Sequence, residues 1–201
     1  MKIRIGKKYL SIAIIVIFLI TMLQPISSVD AKSKVVKIKQ SYKYDSEKYQ
    51  YKSTLKAYSK SGKLIWSFTT KYCPLTELDS ISSYFVHGNM VYIAADGILY
   101  ALNKNTGKVK WKSKDSVGAG ISYTFSKDGT IYLCGYYGPD IIAINKKGKT
   151  LWKQGNASGG KYFWPYKITL QKNKIKITYE GGEPNKEGPF YGYVSYDGKI
   201  L

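Results

Sequence analysis

Short bursts of alternating apolar and polar residues, separated by turn-forming pairs, run along the chain from about residue 35 onward. The clearest burst predicts a strand over residues 81–86, a turn at His87-Gly88-Asn89 and a second strand from Val91 to Ala95. Asp96-Gly97 then reads as a two-residue hairpin turn, because both positions tolerate positive φ. A third strand follows from Ile98 to Leu102, a turn from Asn103 to Gly107, and a fourth strand from Lys108 to Lys112. The same order recurs as Ile121–Phe125, Ile131–Gly135, Ile141–Asn145 and Lys149–Lys153, then as Tyr166–Gln171, Lys174–Glu180, Phe190–Tyr196 and Lys199 onward. An opening copy offers only three strands: Val35–Tyr44, Tyr49–Tyr58 and Lys63–Phe68. No helical period of useful length appears after residue 31, so the chain is expected to be all β.

These copies share an ending. Gly62 precedes Trp66, Gly107 precedes Trp111 and Gly148 precedes Trp152, each by four residues; a last copy, Gly198-Lys199-Ile200-Leu201, has the glycine alone. Successive glycines lie 45, 41 and 50 residues apart. A period of that size is the signature of a propeller blade, a four-stranded sheet repeated around an axis. The expected units are residues 35–68, 81–113, 121–153 and 166–201, the first of them incomplete. Trp66, Trp111 and Trp152 are expected to pack against neighbouring sheets, with Gly62, Gly107 and Gly148 shaping the turns before them. A closed four-bladed ring, an open arc that associates with another chain and a truncated propeller all remain open at this point.

The run Ala101-Leu102-Asn103-Lys104-Asn105-Thr106-Gly107-Lys108-Val109-Lys110-Trp111 resembles the tryptophan-docking repeat of PQQ-like β-propellers, whose pattern is Ala-x-Asp/Asn-x-x-Thr-Gly-x-x-x-Trp. Ala143, Asn145, Gly148 and Trp152 are similar with one turn residue deleted, and Ala57, Gly62 and Trp66 form a weaker copy. The resemblance covers residues 35–201 and implies a β-propeller of about four blades. It also suggests two roles. Some relatives are quinone-dependent dehydrogenases, which makes a fragment or degenerate relative of such an enzyme the alternative function. Another helps assemble outer-membrane proteins, which implies a protein partner.

Residues 1–31 have a separate character. Lys2, Arg4, Lys7 and Lys8 precede the apolar run Leu10–Leu23, and Val29-Asp30-Ala31 supplies short residues for a cleavage site. This is the layout of a secretory signal peptide cut after Ala31. The run is short for a bilayer span of about 20 residues, so membrane attachment is expected only if the segment stays uncleaved. The expected product is residues 32–201, secreted or held at the cell surface.

Composition adds charge. The whole chain carries +19, and residues 32–201 keep 28 lysines against 12 acids, a net charge of +16. The lysines are spread, without the dense basic run of a nucleic-acid-binding arm, so no nucleic-acid partner is expected. An anionic wall polymer or glycan fits the charge, through long-range, salt-sensitive attraction.

Candidate chemistry is sparse. His87 is the one histidine and sits in an expected turn; no Gly-x-Ser-x-Gly elbow is present; Cys73 and Cys134 lie far apart in sequence. Glu77 and Asp79, or Glu180, Glu183 and Glu187, are the carboxylate groups to consider. The chain offers no positions for the calcium or quinone ligands of the dehydrogenases, so the expectation is a binding module with no catalytic residues, metal or cofactor. Its candidate surface is aromatic: Tyr136 and Tyr137, then Tyr162, Phe163, Trp164 and Tyr166, then Tyr191. Aromatics interleaved with lysine, glycine and proline suit a peptide- or glycan-binding platform. The competing reading places Phe163, Trp164 and Tyr166 at the start of an inner strand, filling the core.

Overall fold

A computed structural model describes residues 34–47, 50–70, 73–74, 81–120, 122–182 and 186–201. The signal-peptide reading of residues 1–31 lies outside them, as do Glu77, Asp79 and Glu183. Val35–Leu201 forms one compact unit. It is all β, and its strands make four antiparallel sheets.

The first sheet holds β1 (Lys37–Asp45), β2 (Gln50–Tyr58) and β3 (Leu64–Thr69) in that order. A two-residue β4 (Cys73–Pro74) pairs with the start of β2. Since β1 occupies the other edge of β2 along its whole length, β4 continues the line of β3. The sheet is therefore three strands wide, as the opening copy implies. The second sheet runs β5 (Ile81–His87), β6 (Met90–Ala95), β7 (Ile98–Asn103), β8 (Val109–Lys112), and the third runs β9 (Ser122–Phe125), β10 (Ile131–Cys134), β11 (Ile141–Ile144), β12 (Thr150–Gln154). The fourth sheet departs from expectation. It contains β13 (Phe163–Leu170), β14 (Ile175–Gly181) and β15 (Phe190–Val194), and the strand expected from Lys199 onward is reduced to a bridge between Val194 and Ile200.

Strand alternation decides which sheets meet. In β6, Val91, Ile93 and Ala95 face the first sheet and pack with Leu55, Ala57 and Trp66. Tyr92 and Ala94 face the other way and pack with Ile131, Leu133, Ile142 and Ile144 of the third sheet. From the third sheet, Tyr132, Cys134, Ile141 and Ala143 meet Ile168, Ile175, Ile177, Tyr179 and Val194 of the fourth. The two middle sheets are thus apolar on both faces, and β10 and β11 are buried at every position. Four sheets share three hydrophobic interfaces, and among the described residues none joins the fourth sheet to the first. The propeller is an open arc.

Each interface is pinned by a tryptophan. The Trp66 indole donates to the Lys104 carbonyl at 2.7 Å, Trp111 to Lys146 at 3.0 Å and Trp152 to Tyr196 at 2.9 Å. Every acceptor belongs to the turn of the following repeat, and the ring lies flat on that turn's glycine. A Cβ at Gly107, Gly148 or Gly198 would stand 2.6–2.7 Å from the rings of Trp66, Trp111 and Trp152, respectively. The glycines also hold positive φ, between 67° and 87°. So the glycine serves the preceding repeat's tryptophan as well as its own turn. Asn103 completes the turn chemistry by accepting from the Asn105 and Thr106 amides, both at 3.0 Å.

Candidate functional site

The β10–β11 hairpin, the start of β13 and the loop between β14 and β15 surround a cleft of about 520 Å³, lined by Tyr136, Tyr166, Tyr179, Glu180, Gly188 and Pro189. Backbone contacts position the first of these elements. The Ala119 amide donates to the Tyr136 carbonyl at 2.7 Å, and Gly118 and Gly138 touch so closely that neither has room for a Cβ. That contact fixes the hairpin tip, where Tyr137 stands 74% exposed with φ of 58°.

Trp164 also has positive φ, 62°, and the β13–β14 register shifts between Pro165 and Lys167. These two irregularities break the period of two. Phe163, Trp164 and Tyr166 are all exposed, while Pro165 and Ile168 are buried. Phe163 rests on Gly181, its ring meets Trp164 edge-on at 4.8 Å, and Trp164 reaches Tyr136 with ring centroids 6.5 Å apart. The inner-strand reading is therefore half right: β13 begins three residues earlier than expected, at Phe163, but these aromatics do not fill the core. Left-handed backbone at bulky residues costs about 1–3 kcal/mol each and is concentrated at functional sites.

Tyr136 and Tyr166 line the cleft, Trp164 and Phe163 join Tyr136 through ring contacts, and Tyr137 stands beside Tyr136 at the exposed hairpin tip. The other two candidates lie apart from these and line a second cleft of about 330 Å³ together. Tyr162 is half-buried, stacked on Phe190 at 4.9 Å and packed against the core. Tyr191 lies on the outward face of the fourth sheet, where the Lys176 ammonium sits 3.4 Å from its ring centroid.

Two carboxylates give the cleft its polarity. Glu180 accepts from the Tyr136 hydroxyl at 2.8 Å, and that bond raises the Tyr136 phenol above its ordinary range. Beneath, Asp140 accepts from the Tyr179 hydroxyl and the Ala157 amide, both at 2.9 Å. Burial pushes the Asp140 carboxyl up, and the two donors hold it back in part. Tyr179 is raised well beyond the usual phenol range by burial and by Asp140. Asp140 and Pro189 belong to this region and carry no motif; only the folding of β14 against the β10–β11 hairpin brings them there. Away from the cleft, Cys134 is a free, buried thiol whose pKa burial pushes up to about 12. His87 ends β5 with its ring stacked on Phe125 at 4.0 Å.

Residues 51–164, more than half the chain, match the family model described as outer membrane protein assembly factor BamB. The chain belongs to that family. Solved structures resemble the chain at low identity. The BamB-family chain is 16% identical to the computationally designed Ika4 protein, covering 74% of this chain and 86% of that one with a TM-score of 0.49. It is 17% identical to BamB from Moraxella catarrhalis, covering 67% and 44% with a TM-score of 0.43. For the WD40 β-propeller domain of Doa1 the values are 15%, 81% and 51%, with a TM-score of 0.49. The chain spans about half the length of the last two. No curated protein sequence matches it.

Proposed function

We propose that this BamB-family propeller is an exported, non-catalytic binding module at the bacterial cell surface, and that its aromatic cleft seats an extended segment of a protein partner. One observation carries the reading. Aromatics from two sheets meet at one cleft: Tyr136 and Tyr166 line it, Trp164 reaches Tyr136 and carries Phe163 edge-on against its ring, and Tyr137, exposed beside Tyr136, shares with Trp164 a left-handed backbone. Exposed tyrosine and tryptophan supply large contact areas at low entropic cost, and such residues dominate binding energy at protein interfaces. β13 is an edge strand of its sheet, which suits pairing with an extended segment beside the aromatic pockets. The family's description as an assembly factor for outer-membrane proteins supports a protein partner. The non-catalytic part of the proposal is supported by the state of the reactive groups: a buried thiol of raised pKa, an imidazole stacked on phenylalanine and an aspartate engaged by a phenol and an amide.

The test is retention of envelope proteins from the host by the immobilised full-length protein. Discrete proteins held by the wild type should be lost with Trp164→Ala and with Tyr137→Ala, and kept with Leu64→Ser, an exposed control in the first sheet. Equal retention by all three variants contradicts the assignment of the cleft.

A further inference from the structure

The first sheet has an outward face of a different kind. Ser53, Leu55 and Ala57 of β2 are buried, so their neighbours along the strand point outward. The register then brings Lys39 directly opposite Lys56 and Lys43 directly opposite Lys52, with Lys37 beside them opposite Tyr58. Directly opposed side chains in an antiparallel pair have Cβ atoms roughly 4.5–5.5 Å apart, and like charges so placed repel. At the turn end Asp45 accepts from the Glu47 amide at 3.2 Å, and Asp45 and Lys52 both have further partners, which leaves Lys39 against Lys56 as the clearest like-charge pair. Ser41 faces Thr54, and Thr54 shares a 3.1 Å hydroxyl contact with Thr69, so hydroxyls lie between the ammonium groups. At the other end, Lys37, Lys39 and Lys60 join Tyr58 and Ser59 around a cleft of about 380 Å³.

The fourth sheet shows that lysine on an outward face need not be arranged this way. There the Lys174 ammonium lies 3.9 Å from the Tyr193 ring centroid and Lys176 lies 3.4 Å from that of Tyr191, so tyrosine rings on the neighbouring strand take up the charge diagonally. The first sheet sets lysine against lysine, an arrangement that a multivalent anion stabilises.

We propose that the outward face of the first sheet binds a linear phosphodiester polymer, its phosphates seated between the opposed lysines. Charge complementarity supports this occupant. Lysine engages phosphate as a point charge, and the basic residues of this face are all lysine. Phosphate oxygens also accept from the interleaved hydroxyls. This site is separate from the aromatic cleft and does not depend on it.

The probe is a fluorescent oligo(glycerol phosphate), titrated into the full-length protein by anisotropy at several ionic strengths. Binding should weaken as salt rises. Lys39→Gln with Lys56→Gln should lower affinity by about tenfold or more and flatten the salt dependence. Lys174→Gln with Lys176→Gln, which removes the same charge from the fourth sheet, should leave affinity within about twofold. If the first pair melts without cooperativity, Lys37→Gln with Lys43→Gln is the second variant, with the same expected loss. Equal losses from the two sheets would reduce the effect to net charge and overturn the proposal. So would the absence of binding at low salt, or equally tight binding of polyglutamate of matched charge.

Discussion

Alanine at Gly107 and at Gly62 separates two demands that the repeat's glycine meets. Both residues have positive φ, 67° and 82°, so both substitutions force a β-carbon into left-handed backbone at about 1–2 kcal/mol. Only Gly107 receives a tryptophan. A Cβ there would stand 2.6, 2.7 and 2.9 Å from Cγ, Cβ and Cδ2 of Trp66, whereas at Gly62 nothing lies within 4 Å. Carbon atoms pack at about 3.5–4.0 Å, so the Trp66 ring must lift by about 1 Å from a site where it is 7% exposed. Overpacking of that kind costs about 1–3 kcal/mol, and the 2.7 Å bond from the indole to Lys104 contributes about 0.5–1.5 kcal/mol more if it is lost. Gly107→Ala should therefore cost about 2–5 kcal/mol, more if the indole bond is lost, and Gly62→Ala about 1–2 kcal/mol. Urea unfolding followed by tryptophan fluorescence measures both. If the two variants fall within about 0.5 kcal/mol of each other, the docking of one repeat's tryptophan on the next repeat's glycine does not hold the sheets together.

Other predictions concern the cleft. Tyr179→Phe removes a donor to the Asp140 carboxylate and should destabilise the protein by about 1.5–3 kcal/mol at neutral pH, as expected for a hydrogen bond to a charged group. The native pKa of Asp140 is raised, so Asp140 contributes stability below its ordinary range that is lost as pH rises through the folded value. Acidification protonates it, and the Tyr179→Phe penalty should shrink in melts run toward pH 4; a penalty that grows contradicts the assignment. Trp164→Ala, at a residue 55% exposed, should change stability by no more than about 0.5 kcal/mol while costing the partner about 2 kcal/mol or more of binding energy. A large loss of stability would make Trp164 a packing residue.

Much of the fold was legible because its determinants are local. The Asp96-Gly97 turn, the alternation in Val91–Ala95 and the Gly-to-Trp spacing are each written within a few residues and agree with one another. What they do not specify is where the tryptophan goes: Trp66 and Gly107 are neighbours only because two sheets stack. Closure is likewise tertiary, and the weak ending at Ile200 emerges only as a bridge to Val194. In the candidate site, the aromatic residues could be picked by composition, but their exposure could not. Alternation predicts that either Phe163 or Trp164 turns inward; the left-handed Trp164 and the register shift after Pro165 send both outward. Tyr162 and Tyr191 belong to the same compositional pattern yet face elsewhere: Tyr162 precedes β13 and packs on Phe190, and Tyr191 sits on the outward side of β15. Asp140 had no signal at all, since its partner Tyr179 is 39 residues away and meets it only across the third interface.

The most direct measurement is photo-crosslinking in intact cells, with a photoreactive residue at position 137 of the full-length protein and, as a comparison, at position 108 of the second sheet. The account predicts discrete protein adducts from position 137 that disappear when Trp164→Ala is added, and none of those adducts from position 108. Identical adducts from both positions, or adducts from position 137 that survive the loss of Trp164, would contradict it.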